Sequence, residues 1–279
     1  MRFTIGVGGA ALLAVVLWDA FETIILPRRV SRRFRITRLF YRSTWSPWRA
    51  SARILPPRRR EAFLSFFGPL SLLLLLTLWA TGIVLAFGML QWAAGSAILI
   101  EGATPGFGPD MYISGTTFFT LGLGDAVPRT SLAKTLTVIE AGTGFAFLAI
   151  VIGYLPVIYQ AFSRREGAIA LLDARAGSPP TAGELLWRHR TDTAGEALTA
   201  LLREWERWAA DVLESHLSYP ALAYFRSQHN NQSWLAALTT VLDASALVMV
   251  GLDGPCARQA ALTFAMARHA VVDLSQVFQ

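Results

Sequence analysis

The chain has 279 residues, of which 53% are hydrophobic and only 16% are charged, and its formal net charge is +6. Soluble domains carry about 25% charged residues, so this composition indicates a membrane protein. The single cysteine, Cys256, excludes an intrachain disulfide framework and has no metal-ligand spacing around it.

The first predicted element is an apolar helix over Phe3–Leu26, which defines a segment at residues 1–26. A helix of this length measures about 36 Å, enough to cross a hydrocarbon core of roughly 30 Å. A signal peptide is the alternative, but no small-residue cleavage site follows, and the next arginines would resist translocation. We expect an uncleaved transmembrane helix with its N-terminus outside. Asp19 and Glu22 near its inner end are interpreted as interfacial carboxylates paired with arginines, and a buried functional carboxylate is the alternative.

The positive charge is concentrated in residues 27–61. Twelve arginines and no acidic residue lie between Pro27 and Arg60. The positive-inside rule places such a segment in the cytoplasm, so the charge indicates anionic lipid headgroups near residues 28–60 and not nucleic acid. Arginines recur at every third residue from Arg29 to Arg38, a spacing typical of voltage-sensing helices. Because the stretch is too short and polar to span, an amphipathic interfacial segment is favoured, and voltage sensitivity of residues 28–42 stays open. The three prolines that follow, Pro47, Pro56 and Pro57, predict that no long helix forms here.

Two further membrane segments flank a shorter helix. Phe63–Trp92 is predicted to run from inside to outside, and Ser131–Phe162 to return. Between them, a glycine- and proline-rich outer loop precedes an apolar helix at about residues 110–120, which is too short to span. A short helix that stops at a glycine-containing loop is predicted to be a re-entrant segment.

The re-entrant segment ends in the stretch Thr116-Thr-Phe-Phe-Thr-Leu-Gly-Leu-Gly-Asp125. Its core, Thr-Leu-Gly-Leu-Gly-Asp, resembles the selectivity filter of the tetrameric potassium channels, and the resemblance covers roughly Phe63 to Arg165. It implies a pore module at residues 62–166 and a filter at 120–125. Ion-binding positions then fall on Thr120, Leu121, Gly122, Leu123 and Gly124, with Asp125 at the outer mouth.

These residue types suit the binding of potassium by backbone carbonyls. Successive carbonyls point to one side only if the backbone alternates in handedness, and glycine reaches positive φ at little steric cost. Leu121 and Leu123 would project outward and pack behind the filter, while Thr120 adds a hydroxyl oxygen at the inner end. Leu123 departs from the family's usual tyrosine and has no hydroxyl to hold the filter wall. A weakly selective potassium and sodium channel is therefore the nearest alternative.

The third membrane segment also resembles the family. Gly144 matches a gating-hinge glycine, and helical spacing puts Leu148, Ile152 and Pro156 on one face, predicted to line the inner pore. The alternative is that the glycine only permits close helix packing. Glu140 either faces the cavity or hydrogen-bonds behind the filter, and Thr117 is a second candidate for the same roles.

Residues 167–279 are richer in charge and predict a cytoplasmic helical domain, with helical patterns at Leu185–His189, Ala197–His216 and Trp234–Val250. No catalytic constellation, nucleotide-binding fingerprint or metal spacing is present in the sequence. We therefore predict a non-enzyme without a cofactor.

The sequence as a whole predicts an all-α membrane protein: a potassium-channel pore module with one extra N-terminal transmembrane helix and a cytoplasmic helical domain. The resemblance implies a homotetramer conducting K⁺ passively across the plasma (inner) membrane. Two alternatives remain from other classes: a transporter subunit, which usually carries four pore repeats in one chain, and a membrane-tethered regulatory protein acting through residues 168–279.

Overall fold

The computed structural model describes residues 1–26, 35–95, 98–100, 106–191, 195–227, 229 and 231–277. The first arginines of the basic segment, including Arg29 and Arg32, lie outside the described residues, as does most of the glycine-rich outer loop. The described residues form helices and two short strands in this order: α1 (Arg2–Ile24), α2 (Ile36–Ala52), α3 (Pro57–Ser65), α4 (Phe67–Ala93), β1 (Ile98–Ile100), α5 (Phe107–Phe118), β2 (Ala126–Pro128), α6 (Ser131–Ala176), α7 (Ala182–Arg188), α8 (Glu196–Ser218), a 3₁₀ turn (Pro220–Tyr224), α9 (Trp234–Gly251) and α10 (Pro255–Val277).

Four of the described stretches are long and apolar enough to cross a membrane: α1, Arg59–Ala93, α6 and α9. The first three coincide with the predicted spans, and the all-α membrane fold is confirmed. Helix α6 continues beyond the predicted end at Phe162 because good helix formers follow, and it stops where Gly177 adopts a φ of +83°.

The chain divides into two compact units. The first contains residues 1–26, 35–44 and 70–156 of the described part, and the second contains 45–69 and 157–277. In the first unit, α1 packs closely on α4 through small residues. A Cβ at Gly9 would lie 2.9 Å from the Ala86 carbonyl oxygen, and one at Gly82 would lie 3.0 Å from Val16. Bulky side chains of α4, including Trp79 and Phe87, fill the interior of this unit.

The two carboxylates of α1 have different partners. Glu22 pairs with Arg35 at 3.6 Å and accepts a hydrogen bond from Trp18 at 2.7 Å. Asp19 is fully buried, and its Oδ2 accepts from the Thr37 amide at 3.1 Å, the Thr37 hydroxyl at 2.6 Å and Trp79 Nε1 at 3.0 Å. The predicted arginine pairing is thus confirmed for Glu22. For Asp19 the arginine pairing stays a prediction, since four of the arginines that follow α1 lie outside the described residues. Its described partners are neutral donors from two other elements, which stabilise a buried carboxylate.

In the second unit, α7, α8, α9 and α10 share one hydrophobic core with the end of α6. Helix α9 is largely apolar, with Thr239 and Asp243 on its exposed face, and it buries Leu238, Val241 and Val248 in that core. The predicted break at Pro47 is wrong, since this proline lies inside α2. Trp48, one residue beyond it, stacks on Phe63 with centroids 4.5 Å apart, and such packing offsets the loss of one helical hydrogen bond.

Candidate functional site

The short helix α5 lies in the first unit and carries the glycine-bearing stretch at its C-terminus. It begins at Phe107 and ends at Phe118, so it starts and stops slightly before the predicted bounds of 110 and 120. Asp110 is buried in its first turn, where a carboxylate interacts favourably with the positive end of the helix dipole.

The end of α5 is closed by a defined cap. The amide of Leu121 donates to the Thr116 carbonyl at 2.8 Å, and the amide of Thr120 donates to the Thr117 carbonyl at 3.0 Å. With Phe119 as the C-cap, these two bonds form a Schellman motif, and Thr120 occupies the left-handed position that glycine usually takes. The cap stops the helix and turns the chain directly into the motif.

Alternate residues of the motif have left-handed backbone angles. The φ values are 57° at Thr120, 54° at Gly122 and 80° at Gly124, whereas Leu121 and Leu123 do not have positive φ. This alternation is the geometry that a row of carbonyls facing one side requires. We predicted it for the two glycines but not for Thr120, the one non-glycine residue in the described chain with positive φ. Left-handed backbone costs an L-residue about 1–2 kcal/mol, so the cap and its surroundings must stabilise it.

The apolar side chains of the motif are not covered within one chain. Phe119 and Leu121 are each 61% exposed, and Leu123 is 64% exposed. The predicted packing of Leu121 and Leu123 behind the motif is therefore not made by the described residues of a single chain. A row of large apolar side chains exposed in this way is typical of a surface that another protein surface or lipid covers.

The C-terminal end of the motif is tied to α5 by a hydrogen bond. The Tyr112 hydroxyl donates to Asp125 Oδ2 at 2.8 Å, linking the first half of the short helix to the residue that follows Gly124. Just beyond, β2 pairs antiparallel with β1, with Leu99 opposite Val127. Sequence reasoning selected Asp125 but missed Tyr112, because a lone tyrosine in a helix has no distinguishing pattern.

The middle of α5 is hydrogen-bonded to α4 and to α6. Ser114 Oγ lies 2.7 Å from the Val84 carbonyl of α4 and contacts Glu140 Oε1 of α6. Glu140 is 1% exposed, so the structure places it against the back of α5 and not in an open cavity. Thr117 is half-buried, and its carbonyl belongs to the cap described above.

Gly144 lies where α6 crosses the end of α5. A Cβ at this position would lie 2.9 Å from the Phe118 carbonyl carbon and 3.0 Å from its Cα, whereas Gly142 and Gly153 have open space. Close packing is thus a sufficient reason for glycine at 144, and a hinge there stays a prediction. The residues that follow on the same face, Leu148 and Ile152, are 52% and 63% exposed, and Pro156 is also exposed.

Two apolar helices that flank a short helix ending in a glycine-bearing stretch define the pore-loop class of membrane proteins. Residues 71–160 match the family model described as an ion channel, which covers most of α4, all of α5 and the first part of α6. These residues form an ion-channel domain, and the predicted relationship to the two-transmembrane potassium-channel-type module is confirmed at this level. Neither a curated protein nor a solved structure gives a significant match to the chain.

Proposed function

We propose that four copies of this chain form a potassium-selective channel, with one motif from each copy around a common axis. The observation that carries the proposal is the alternation of left-handed φ at Thr120, Gly122 and Gly124, directly after the capped end of α5. Four such backbones facing one axis supply rings of oxygen ligands that replace the hydration shell of K⁺.

The exposed apolar residues support the assembly. Phe119, Leu121 and Leu123 gain cover if neighbouring chains pack against them. Leu148 and Ile152 remain available to line the inner pore, with Pro156 farther along the same face. In this assembly the N-terminus lies outside, the basic segment contacts anionic headgroups of the inner membrane, and residues 167–279 lie in the cytoplasm.

A purified, liposome-reconstituted protein tests the proposal through reversal potentials in defined potassium and sodium gradients. We expect the reversal potential to follow the potassium gradient. Gly122→Ala should abolish conduction, because an added Cβ disfavours the left-handed backbone by about 1–2 kcal/mol in each of four chains. Gly142→Ala is the matched control, since no described atom of the same chain lies within 4 Å of an added Cβ there. Normal current in Gly122→Ala would overturn the assignment.

A weakly selective cation channel is the second candidate, and the side chain of Leu123 favours it. A leucine provides no hydroxyl to brace the motif, and among the described residues the side-chain hydrogen bond at its outer end is that from Tyr112 to Asp125. Equal permeation of potassium and sodium in the same recordings would establish this alternative.

A further inference from the structure

A cavity of about 240 Å³ lies between the C-terminal part of α6 and α8, within the second unit. Polar side chains of both charges line it, together with a tryptophan and three hydroxyl-bearing residues: Arg164, Trp208, Asp211, Glu214, Ser215, Ser218 and Tyr219. A cavity needs only about 10–15 Å³ of such volume to hold one water, so this space is large enough for a small molecule.

The neighbouring Arg165 also lines the cavity, but its hydrogen-bond donors are already paired within the protein. Its guanidinium, 2% exposed, donates to Glu166 at 2.9 Å, to the Leu222 carbonyl at 3.2 Å and to the Phe225 carbonyl at 2.7 Å. It also lies 3.2 Å from His216 Nε2. Burial and this guanidinium lower the pKa of His216 to about 3, so the imidazole is neutral. Its Nδ1–H donates to the Val212 carbonyl at 2.8 Å, which leaves Nε2 to accept from Arg165.

The other charged side chains of the cavity do not pair with one another. Among the described residues, Arg164 forms no ion pair with Asp211 or Glu214, although all three line the same space and each is exposed to solvent. Trp208 is 7% exposed, and its Nε1–H has no acceptor among the described residues. Nε1 itself has almost no accessible surface, so the indole must rotate toward the cavity before a ligand oxygen can accept from it. That hydrogen bond would recover the cost of a buried N–H without an acceptor, about 1–3 kcal/mol.

We propose that this cavity binds a small zwitterion that carries one ammonium group and one oxyanion. The oxyanion, a phosphate or a carboxylate, pairs with the fork of donors on Arg164 and accepts from Trp208 Nε1. The ammonium lies toward Asp211 and Glu214. Two sources present this chemistry: a free metabolite and the ethanolamine headgroup of a phospholipid. The proposal concerns binding alone, and its outcome does not depend on whether the pore conducts potassium.

The test uses the full chain in nanodiscs of phosphatidylcholine and phosphatidylglycerol, titrated calorimetrically with phosphoethanolamine and with L-alanine. We expect saturable binding of at least one of these probes, and binding at least tenfold weaker for methylamine, acetate or inorganic phosphate, which each carry one charge. In nanodiscs that contain phosphatidylethanolamine, at least tenfold weaker binding of the free probe would identify the lipid as the occupant. Unchanged binding would identify a free zwitterion.

Variants assign the binding to the cavity. Arg164→Gln and Asp211→Asn change exposed side chains, so the fold is retained, and each should weaken binding at least tenfold. Trp208→Phe keeps the aromatic packing against Trp205 and should weaken binding by about threefold to tenfold. Arg203→Gln and Asp253→Asn are the matched controls, since both residues are exposed and lie outside the cavity. The proposal is overturned if neither probe binds and ethanolamine lipid has no effect, or if both charge variants bind like the wild type.

Discussion

The contact between Gly144 and the end of α5 gives a prediction that separates packing from bending. In Gly144→Ala, the new Cβ would overlap the Phe118 carbonyl oxygen and lie 2.9 Å and 3.0 Å from two further backbone atoms of that residue. Backbone at the end of a capped helix cannot move aside as a flexible side chain can. Overpacking of this kind costs about 1–3 kcal/mol. Replacing glycine by alanine inside a helix stabilises the helix by roughly 0.5–1 kcal/mol. The difference lies between about 0 and 2.5 kcal/mol, and because the new atom meets rigid backbone we expect a net loss of about 1–2 kcal/mol.

The loss should be visible in both stability and conduction. At about 2–4 °C per kcal/mol, the thermal unfolding midpoint should fall by roughly 2–8 °C. Phe118 lies two residues before Thr120, so displacement of its backbone should also reduce potassium flux into liposomes. The assay pairs differential scanning fluorimetry with flux at equal protein content.

Two glycines of the same helix serve as controls. Gly142→Ala and Gly153→Ala add a Cβ to open space, so each should raise the midpoint through helix propensity alone and leave flux unchanged. A hinge at Gly144 would instead produce altered gating at an unchanged or higher midpoint. A Gly144→Ala variant that melts at or above the wild-type temperature and conducts normally would refute the packing argument.

Three further predictions concern the motif and the second unit. Tyr112→Phe removes the hydroxyl that holds Asp125, and we expect reversal potentials to show a potassium-to-sodium permeability ratio lowered up to about fivefold, since a hydrogen bond contributes about 1 kcal/mol. An unchanged ratio would show that this tie is dispensable. Leu123→Tyr should raise the same ratio by restoring a hydroxyl, and equal ratios in variant and wild type would contradict the role given to Leu123. The folded-state pKa of His216 is about 3, below the usual 6.5. Its contribution to the free energy of unfolding is therefore fully present above pH 6.5 and is lost as the pH falls, by about 2 kcal/mol between pH 7.5 and pH 5. Thermal unfolding followed by near-ultraviolet circular dichroism should show this loss, and His216→Gln should lack that part of it; an identical pH slope in the variant would exclude His216 as the cause.

The left-handed backbone of the motif could be predicted from the sequence at the two glycines but not at Thr120. Gly122 and Gly124 mark left-handed positions because few other residues reach them easily. Thr120 has the same handedness, yet a β-branched residue normally argues against it. Its conformation comes from the cap bonds of Leu121 and of its own amide, which are contacts that no residue type reveals.

The hydrogen-bond partners of buried polar residues could not be predicted from the sequence either. Glu140 was equally compatible with a cavity and with the back of α5, and only the position of Ser114 distinguishes them. Asp19 was expected to meet arginine, since arginines follow it closely in the chain, but its described partners include Trp79, sixty residues away. Such partners depend on which helices pack together, which apolar periodicity does not specify.

Helix α10 was missed for a different reason. Its core positions include Ala260, Ala267 and Ala270, which give weak apolar contrast along the sequence. Helix α9 was found because its apolar residues form a nearly continuous run. Contrast in side-chain size, more than helical propensity, decided which helices of the second unit could be predicted.

The contacts of Ser114 have a consequence for how copies of the chain can assemble. A carboxyl group such as Glu140 is costly in an apolar environment until it meets a partner, and here the partner belongs to the same chain. Each copy can therefore accommodate this carboxyl group without a contribution from a second copy. Assembly of the proposed tetramer would then have to cover Phe119, Leu121 and Leu123, but it would not have to supply a partner for Glu140.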